Sequence, residues 1–226
     1  MQRYNIFNQI HKGLRAMLYD TALAMQQTDF INQEEAEVVL QSMEKVLDCF
    51  HSHAANEDKF ILSALQSFDP SLVDEFGKEH EKDESLSHRL FNLIPVYDKA
   101  VSGDAKVEVG CAILKAFNEY VAFNLYHMNN EEEKINRVLW TNYSDEEIKD
   151  IHRSILAGLP PSGMDYEGRW MMKAISNNEI IQWLKGIKNT APDFVFKSVL
   201  SLAENELPGR RWNIVKESLM EGAMIA

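Results

Sequence analysis

Apolar residues recur at helical spacing along almost the whole chain, with few interruptions. Ile6, Ile10, Leu14, Met17, Leu18 and Ala22 keep one stripe, so a first helix is expected from about Arg3 to Gln27. "TDFINQEE" reads as a loop, with Asn32 as N-cap and Glu35 completing a capping box. A second helix follows from about Gln33 to Leu65, and "SFDPS" ends it at Pro70. The third runs from about Leu72 to Tyr97 and the fourth from about Val107 to Leu139, with "VSGDAK" as the turn between them. Four long helices with short connections predict an all-α fold, an antiparallel up-down-up-down four-helix bundle, over residues 1–140.

Residues 141–226 are read as a helical C-terminal extension or small helical domain. Ser144 and Glu147 form a second capping-box pattern, and a short helix then reaches about Leu156 before "AGLPPSG" breaks the chain. Shorter pieces follow over about Asp165–Ile175, Asn177–Ile187, Pro192–Glu204 and Pro208–Met220, the two prolines suiting first-turn positions. Trp170, Trp183 and Trp212 give this region large surfaces to bury.

Composition narrows the class. The chain has 226 residues and a net charge of −12. A duplex nucleic-acid binder would show a basic face, and anionic membranes would repel this charge. No apolar run is long enough for a membrane helix, and the N-terminus resembles no secretory signal. Cys49 and Cys111 form no CxxC pair and read as buried free thiols, which fits a cytoplasmic location.

Seven histidines carry the candidate chemistry. "HAANED" sets His53 four residues before Glu57, and "HMNNEEE" sets His127 four residues before Glu131. At that spacing both side chains leave the same helix face, their roots roughly 6 Å apart. The turn near Ile31 puts His11 and His53 within about 3 Å along the bundle axis, the turn near Asp69 puts Glu57 level with His80, and the turn near Gly103 puts His80 level with His127, so four helices place a histidine at nearly the same level. His88 falls roughly 13 Å off that level, His51 faces elsewhere on its helix, and His152 lies beyond the bundle, so these three read as structural or exposed. Glu84, four residues after His80, lies on the site face as a further ligand or a supporting partner. Imidazole with carboxylate and no thiolate suits iron, zinc or manganese. One His-x-x-x-Glu is commonly a simple pair on a helix; two copies level with two more histidines point to a metal site in the bundle core.

This arrangement resembles the hemerythrin-like, or HHE cation-binding, family over roughly residues 1–140. The carriers are His11 in "NQIHKGL", His53 and Glu57 in "HAANED", His80 in "GKEHEKDE", and His127 and Glu131 in "HMNNEEE". The resemblance implies two non-haem iron ions, bridged by Glu57 and Glu131 and by oxo or hydroxo groups. It also implies a small diatomic or peroxide ligand. Oxygen-carrying hemerythrins have His-x-x-x-His on the third helix, where this chain has Glu84, and that difference speaks against simple reversible oxygen carriage.

Three functions compete. The first is a cytoplasmic di-iron protein that binds or senses O2, NO or peroxide. The second is a di-iron redox enzyme or an iron-dependent repair protein. Related repair proteins often carry a cysteine-bearing N-terminal segment, and this chain starts almost directly at its first helix. The third is a helical interaction module whose metal site is structural or lost, with the C-terminal region docking an unknown protein partner.

Overall fold

The computed structural model describes residues 3–158 and 161–224, and the chain divides into two compact units, residues 1–159 and 160–226. The break expected at Pro160 lies outside the described residues. Among the described residues every regular element is helical, and none is long and apolar enough to cross a membrane.

The first unit is the expected bundle. Helix α1 spans Asn8–Gln27, α2 Gln33–Asn56, α4 Pro70–Lys99 and α5 Gly103–Asn130. Between α2 and α4 lie a π-helical segment, Glu57–Leu62, and one further turn, α3, Ser63–Leu65. After α5 come a second π-helical segment, Glu131–Ile135, and α6, Asn136–Asn142. Neighbouring pairs are α1 with α2, α2 with α4, α4 with α5, and α5 with α1. Short connections make each successive long helix reverse direction, so the four rods close a ring around one core.

Local chemistry sets the ends. The Asn32 side chain accepts from the Glu34 and Glu35 amides. Glu35 answers through the Asn32 side-chain amide at 2.7 Å and the Asp29 amide at 3.2 Å, a variant of the expected box. Pro70 opens α4 in the first turn, with Asp69 accepting from the Leu72 amide. Phe30, in the loop between α1 and α2, lies against Gly110 of α5. A Cβ there would come within 2.2 Å of the ring, so only glycine admits the contact. The Tyr97 hydroxyl donates to the Phe30 carbonyl at 2.8 Å and holds the loop in place.

Helix α7, Asp145–Gly158, belongs to the first unit. Ser144 and Glu147 form the full capping box at its start. Ile148, Ile151 and Ile155 pack into a cluster with Phe7, Ile61, Leu65, Phe76, Ile135 and Leu139. Arg3 ties the N-terminal segment to this end of the bundle. It pairs with Asp145 at 2.6 Å and donates to the carbonyls of Trp140 and Tyr143, the open end of α6. The Tyr4 hydroxyl is hydrogen-bonded to Nδ1 of His152 on α7.

The second unit has α8 (Pro161–Ala174), α9 (Asn177–Thr190), α10 (Asp193–Glu206) and α11 (Gly209–Met224). Met172, Ile175, Ile180, Leu184, Ala203, Leu207 and Val215 form its core, with Trp183 and Trp212 packed against them. Pro192 and Pro208 stand just before their helices rather than inside the first turn. One expectation about thiols is corrected: neither cysteine forms a disulfide, but Cys49 is only half-buried and Cys111 is exposed. The interior face of α5 is set by Gly110 and Ile113, and Cys111 points off it.

Burial holds the pKa of His152 below the ordinary imidazole value. The folded chain keeps this ring neutral where an unfolded chain would take up a proton. The stability this contributes is present above about pH 6.5 and is lost as pH falls further. Urea unfolding should therefore show a steeper loss of stability in the native protein than in His152→Gln between about pH 7 and about pH 5. Parallel losses in the two proteins would mean that this buried ring does not drive the pH dependence.

Candidate metal centre

Six of the seven side chains singled out from spacing converge on one point inside the first unit. His11 comes from α1, His53 from the last turn of α2, His80 from α4 and His127 from α5. Glu57 and Glu131 each occupy the first residue of a π-helical segment. The reason lies in the spacing of the interior positions. His53, Glu57, Ile61 and Leu65 follow one another by fours, and so do His127, Glu131, Ile135 and Leu139. Twelve residues of ordinary α-helix would turn the last of these about 120° away from the first. A π-helical stretch holds an extra residue per turn and takes up that drift. Each histidine, its glutamate and the apolar residues beyond therefore stay on the inner face.

Two groups of ligand atoms result, each lying within 4.8 Å of one another: His11, His53, Glu57 and Glu131, and His80, His127, Glu57 and Glu131. Both glutamates belong to both groups. Glu57 turns Oε1 toward His53 at 3.0 Å and Oε2 toward His80 at 3.5 Å. Glu131 turns Oε2 toward His11 at 3.4 Å and Oε1 toward His127 at 3.1 Å. All four carboxylate oxygens are buried and accept no hydrogen bond, and Nε2 of His80 is likewise without a partner. Leaving two buried carboxylates unsatisfied is costly unless positive charge answers them. Four inward nitrogens and four inward oxygens, split evenly, fit two divalent cations of the kind that take nitrogen and oxygen donors.

The outer nitrogens are held by acids that spacing alone did not reveal. Nδ1 of His80 meets Asp58 at 2.7 Å, Nδ1 of His127 meets Glu79 at 2.6 Å, and Nδ1 of His11 meets Glu132 at 2.9 Å. Such contacts fix the ring and direct Nε2 into the cavity. The available signal was adjacency: Asp58 follows Glu57, Glu132 follows Glu131, and Glu79 precedes His80. Phe7 stacks on His11 at 4.8 Å between ring centroids, and Phe123 on His127 at 5.7 Å, walling the cluster with apolar surface.

Glu84 is not brought to this cluster. Its side chain is 56% exposed and lies 3.9 Å from the exposed His88, on the outside of α4. Asp83 takes the interior position instead, where it accepts from the Asn124 amide at 2.6 Å with the Tyr120 hydroxyl 3.5 Å away. Burial raises the pKa of Asp83 and, more strongly, that of Tyr120. His51 and His88 are exposed, and Tyr126 is 74% exposed and points off the site.

These observations meet a family. The sequence model of the Hemerythrin HHE cation binding domain matches residues 2–139. The chain belongs to that family. Among curated proteins it is similar to the zinc finger protein BRUTUS-like At1g74770 of Arabidopsis thaliana, 22% identical over 186 residues, which is 81% of this chain and 15% of that protein. It is similar too to the zinc finger protein BRUTUS-like At1g18910 of the same plant, 22% identical over 174 residues, 77% of this chain and 14% of that protein. The chain thus spans about one-seventh of the length of these relatives. Both similarities cover more residues than the first unit holds, so each reaches into the second. No solved structure matches.

Electrostatics state what the site does without a cation. Burial alone would lower the pKa of His80, yet the contacts and charges of Glu131 and Glu57 outweigh it and raise it to about 11. For His127 burial is again opposed, by the charge and contact of Glu131, and the result is about 9. The glutamates stay ionised, with Glu57 held well below the usual range despite its burial, because His53, His11 and His80 surround it. Protonated rings thus neutralise the carboxylates, and their stabilisation of the metal-free fold is lost as pH climbs through about 9 to 11. A cation must displace these protons. Loading at neutral pH should release protons and tighten as pH rises, read by calorimetry in buffers of different ionisation heat. Uptake without proton release would mean these rings do not bind it. Glu131→Gln should cost at least tenfold in affinity and Glu84→Gln nothing, by equilibrium dialysis, on the scale of about 10–100-fold for disturbed metal surroundings.

Proposed function

We propose that the first unit is a di-iron centre that binds or senses a small oxidant: O2, NO or peroxide. The observation that supports it is the division of Glu57 and Glu131, each offering one oxygen to either pair of imidazoles. His11 and His53 would hold one iron, His80 and His127 the other, with both glutamates shared. A pair of ferrous ions supplies two electrons and a coordination position for an exogenous ligand.

The chain's own residues do the rest. Glu57 and Glu131 keep the two cations together and lower their net charge. Asp58, Glu79 and Glu132 fix three imidazoles and raise their basicity, which favours the more oxidised metal. Phe7, Phe76 and Phe123 surround the rings with apolar surface and limit the access of water. A cytoplasmic setting goes with this reading, supported by two cysteines that form no disulfide. The second unit is proposed as a separate helical module. Its tryptophans Trp183 and Trp212 belong to its core, which leaves no support for reading them as a docking face.

Anaerobic reconstitution should load about two ferrous ions per chain, one for each ligand group. Exposure to O2 should then produce a diferric absorption spectrum. No iron retained after reconstitution would end this proposal. Assays with an added reductant separate a binder from an enzyme: stoichiometric adducts without turnover are expected, and sustained consumption of peroxide or NO would replace binding with catalysis.

A further inference from the structure

We infer that the two cation seats are unequal: the seat of His80 and His127 is tight, and the seat of His11 and His53 holds an exchangeable cation, with His53 as the ligand that yields. This rests on the di-cation reading of the same cluster. Glu57 and Glu131 give one oxygen to each seat, so carboxylate charge does not distinguish them. The difference falls on the imidazoles.

The acids that grip the outer nitrogens follow a rule around the ring of helices. Asp58, next to Glu57 at the end of α2, grips His80 on α4. Glu79, next to His80 on α4, grips His127 on α5. Glu132, next to Glu131 beyond α5, grips His11 on α1. Each acid sits beside a ligand of one helix and holds a histidine of the next. The fourth interface, α1 with α2, breaks the rule. The residues flanking His11 are Ile10 and Lys12, and among the described residues no carboxylate stands on the outer nitrogen of His53. Its ring contacts are Nε2 of His11 at 3.2 Å and Glu57.

Two further observations weaken the same seat. The acid behind His11 is shared: Glu132 Oε1 also pairs with Arg15 at 2.8 Å, whose charge draws density from the carboxylate. His53 is also the least buried of the four, its side chain 12% exposed, so water can reach it as it leaves the cation. The tight seat has short, unshared contacts at 2.7 and 2.6 Å behind both rings. Over a range of free metal the centre therefore exists with one cation, held by His80 and His127 between the two glutamates.

Anaerobic titration of the full chain with ferrous ion, followed by calorimetry and iron analysis, tests this. Two steps are expected, the second at least about tenfold weaker, the scale on which loss of an outer-nitrogen partner acts. His53→Ala should remove the weak step and leave the tight one within about threefold, well inside that scale. Glu79→Gln, which removes the acid behind His127 without altering a proposed ligand, should bring the two steps together. Circular dichroism checks that each variant is folded. Two equal steps in the native chain, or His53→Ala weakening both alike, would overturn the inequality while leaving the di-iron reading intact. No iron bound in either step would overturn both.

Discussion

Two carboxylates sit at the centre of a four-helix bundle with four oxygens that no N–H or O–H group satisfies. Everything around them follows from that constraint. Ionised carboxylates in an apolar interior need positive charge close by, or they would take up protons or open the fold. The bundle meets the need with four imidazoles, one from each long helix. Without a cation, His11, His80 and His127 hold compensating protons; with cations, the rings become ligands. The protonated and metal-loaded cores are thus alternative solutions of one electrostatic problem.

The constraint reaches the backbone. Both glutamates begin π-helical segments, so the helices that carry the two buried carboxylates are also those that depart from ideal winding. That irregularity keeps Ile61, Leu65, Ile135 and Leu139 facing inward beyond the ligands. The same cluster packs α7 against the bundle end, which carries the first unit well past the last histidine of the cluster. The relay of Asp58, Glu79 and Glu132 then ties the rods together through the ligands themselves. Bundle geometry and site geometry are set by the same contacts, and only the α1–α2 interface lacks such an acid among the described residues.

Much of this was legible in the sequence. Uninterrupted helical periodicity and the short breaks at Pro70 and Gly103 give the bundle. Counting residues from each turn brings His11, His53, His80 and His127 to one level, and the structure brings them together with Glu57 and Glu131. Counting failed at Glu84 for a definite reason. Leu72, Phe76 and His80 already follow one another by fours on α4. A straight α-helix that has taken two such steps must take a step of three to keep its face inward, and that step lands on Asp83. On the helices of His53 and His127 the run of fours continues because the winding changes. Nothing in single-residue spacing distinguishes those cases beforehand.

Sequence alone therefore determined what local physics controls: which segments wind into helices, where they stop, and which residue types could serve a cation. Asp58, Glu79 and Glu132 carry no such local signal, because the histidines they grip lie 22 to 121 residues away along the chain. Only the packing of one helix against the next decided which acid meets which ring, and which ring is left without one. Those are contacts between helices, and their distances are set by how the core fills rather than by any interval along the chain.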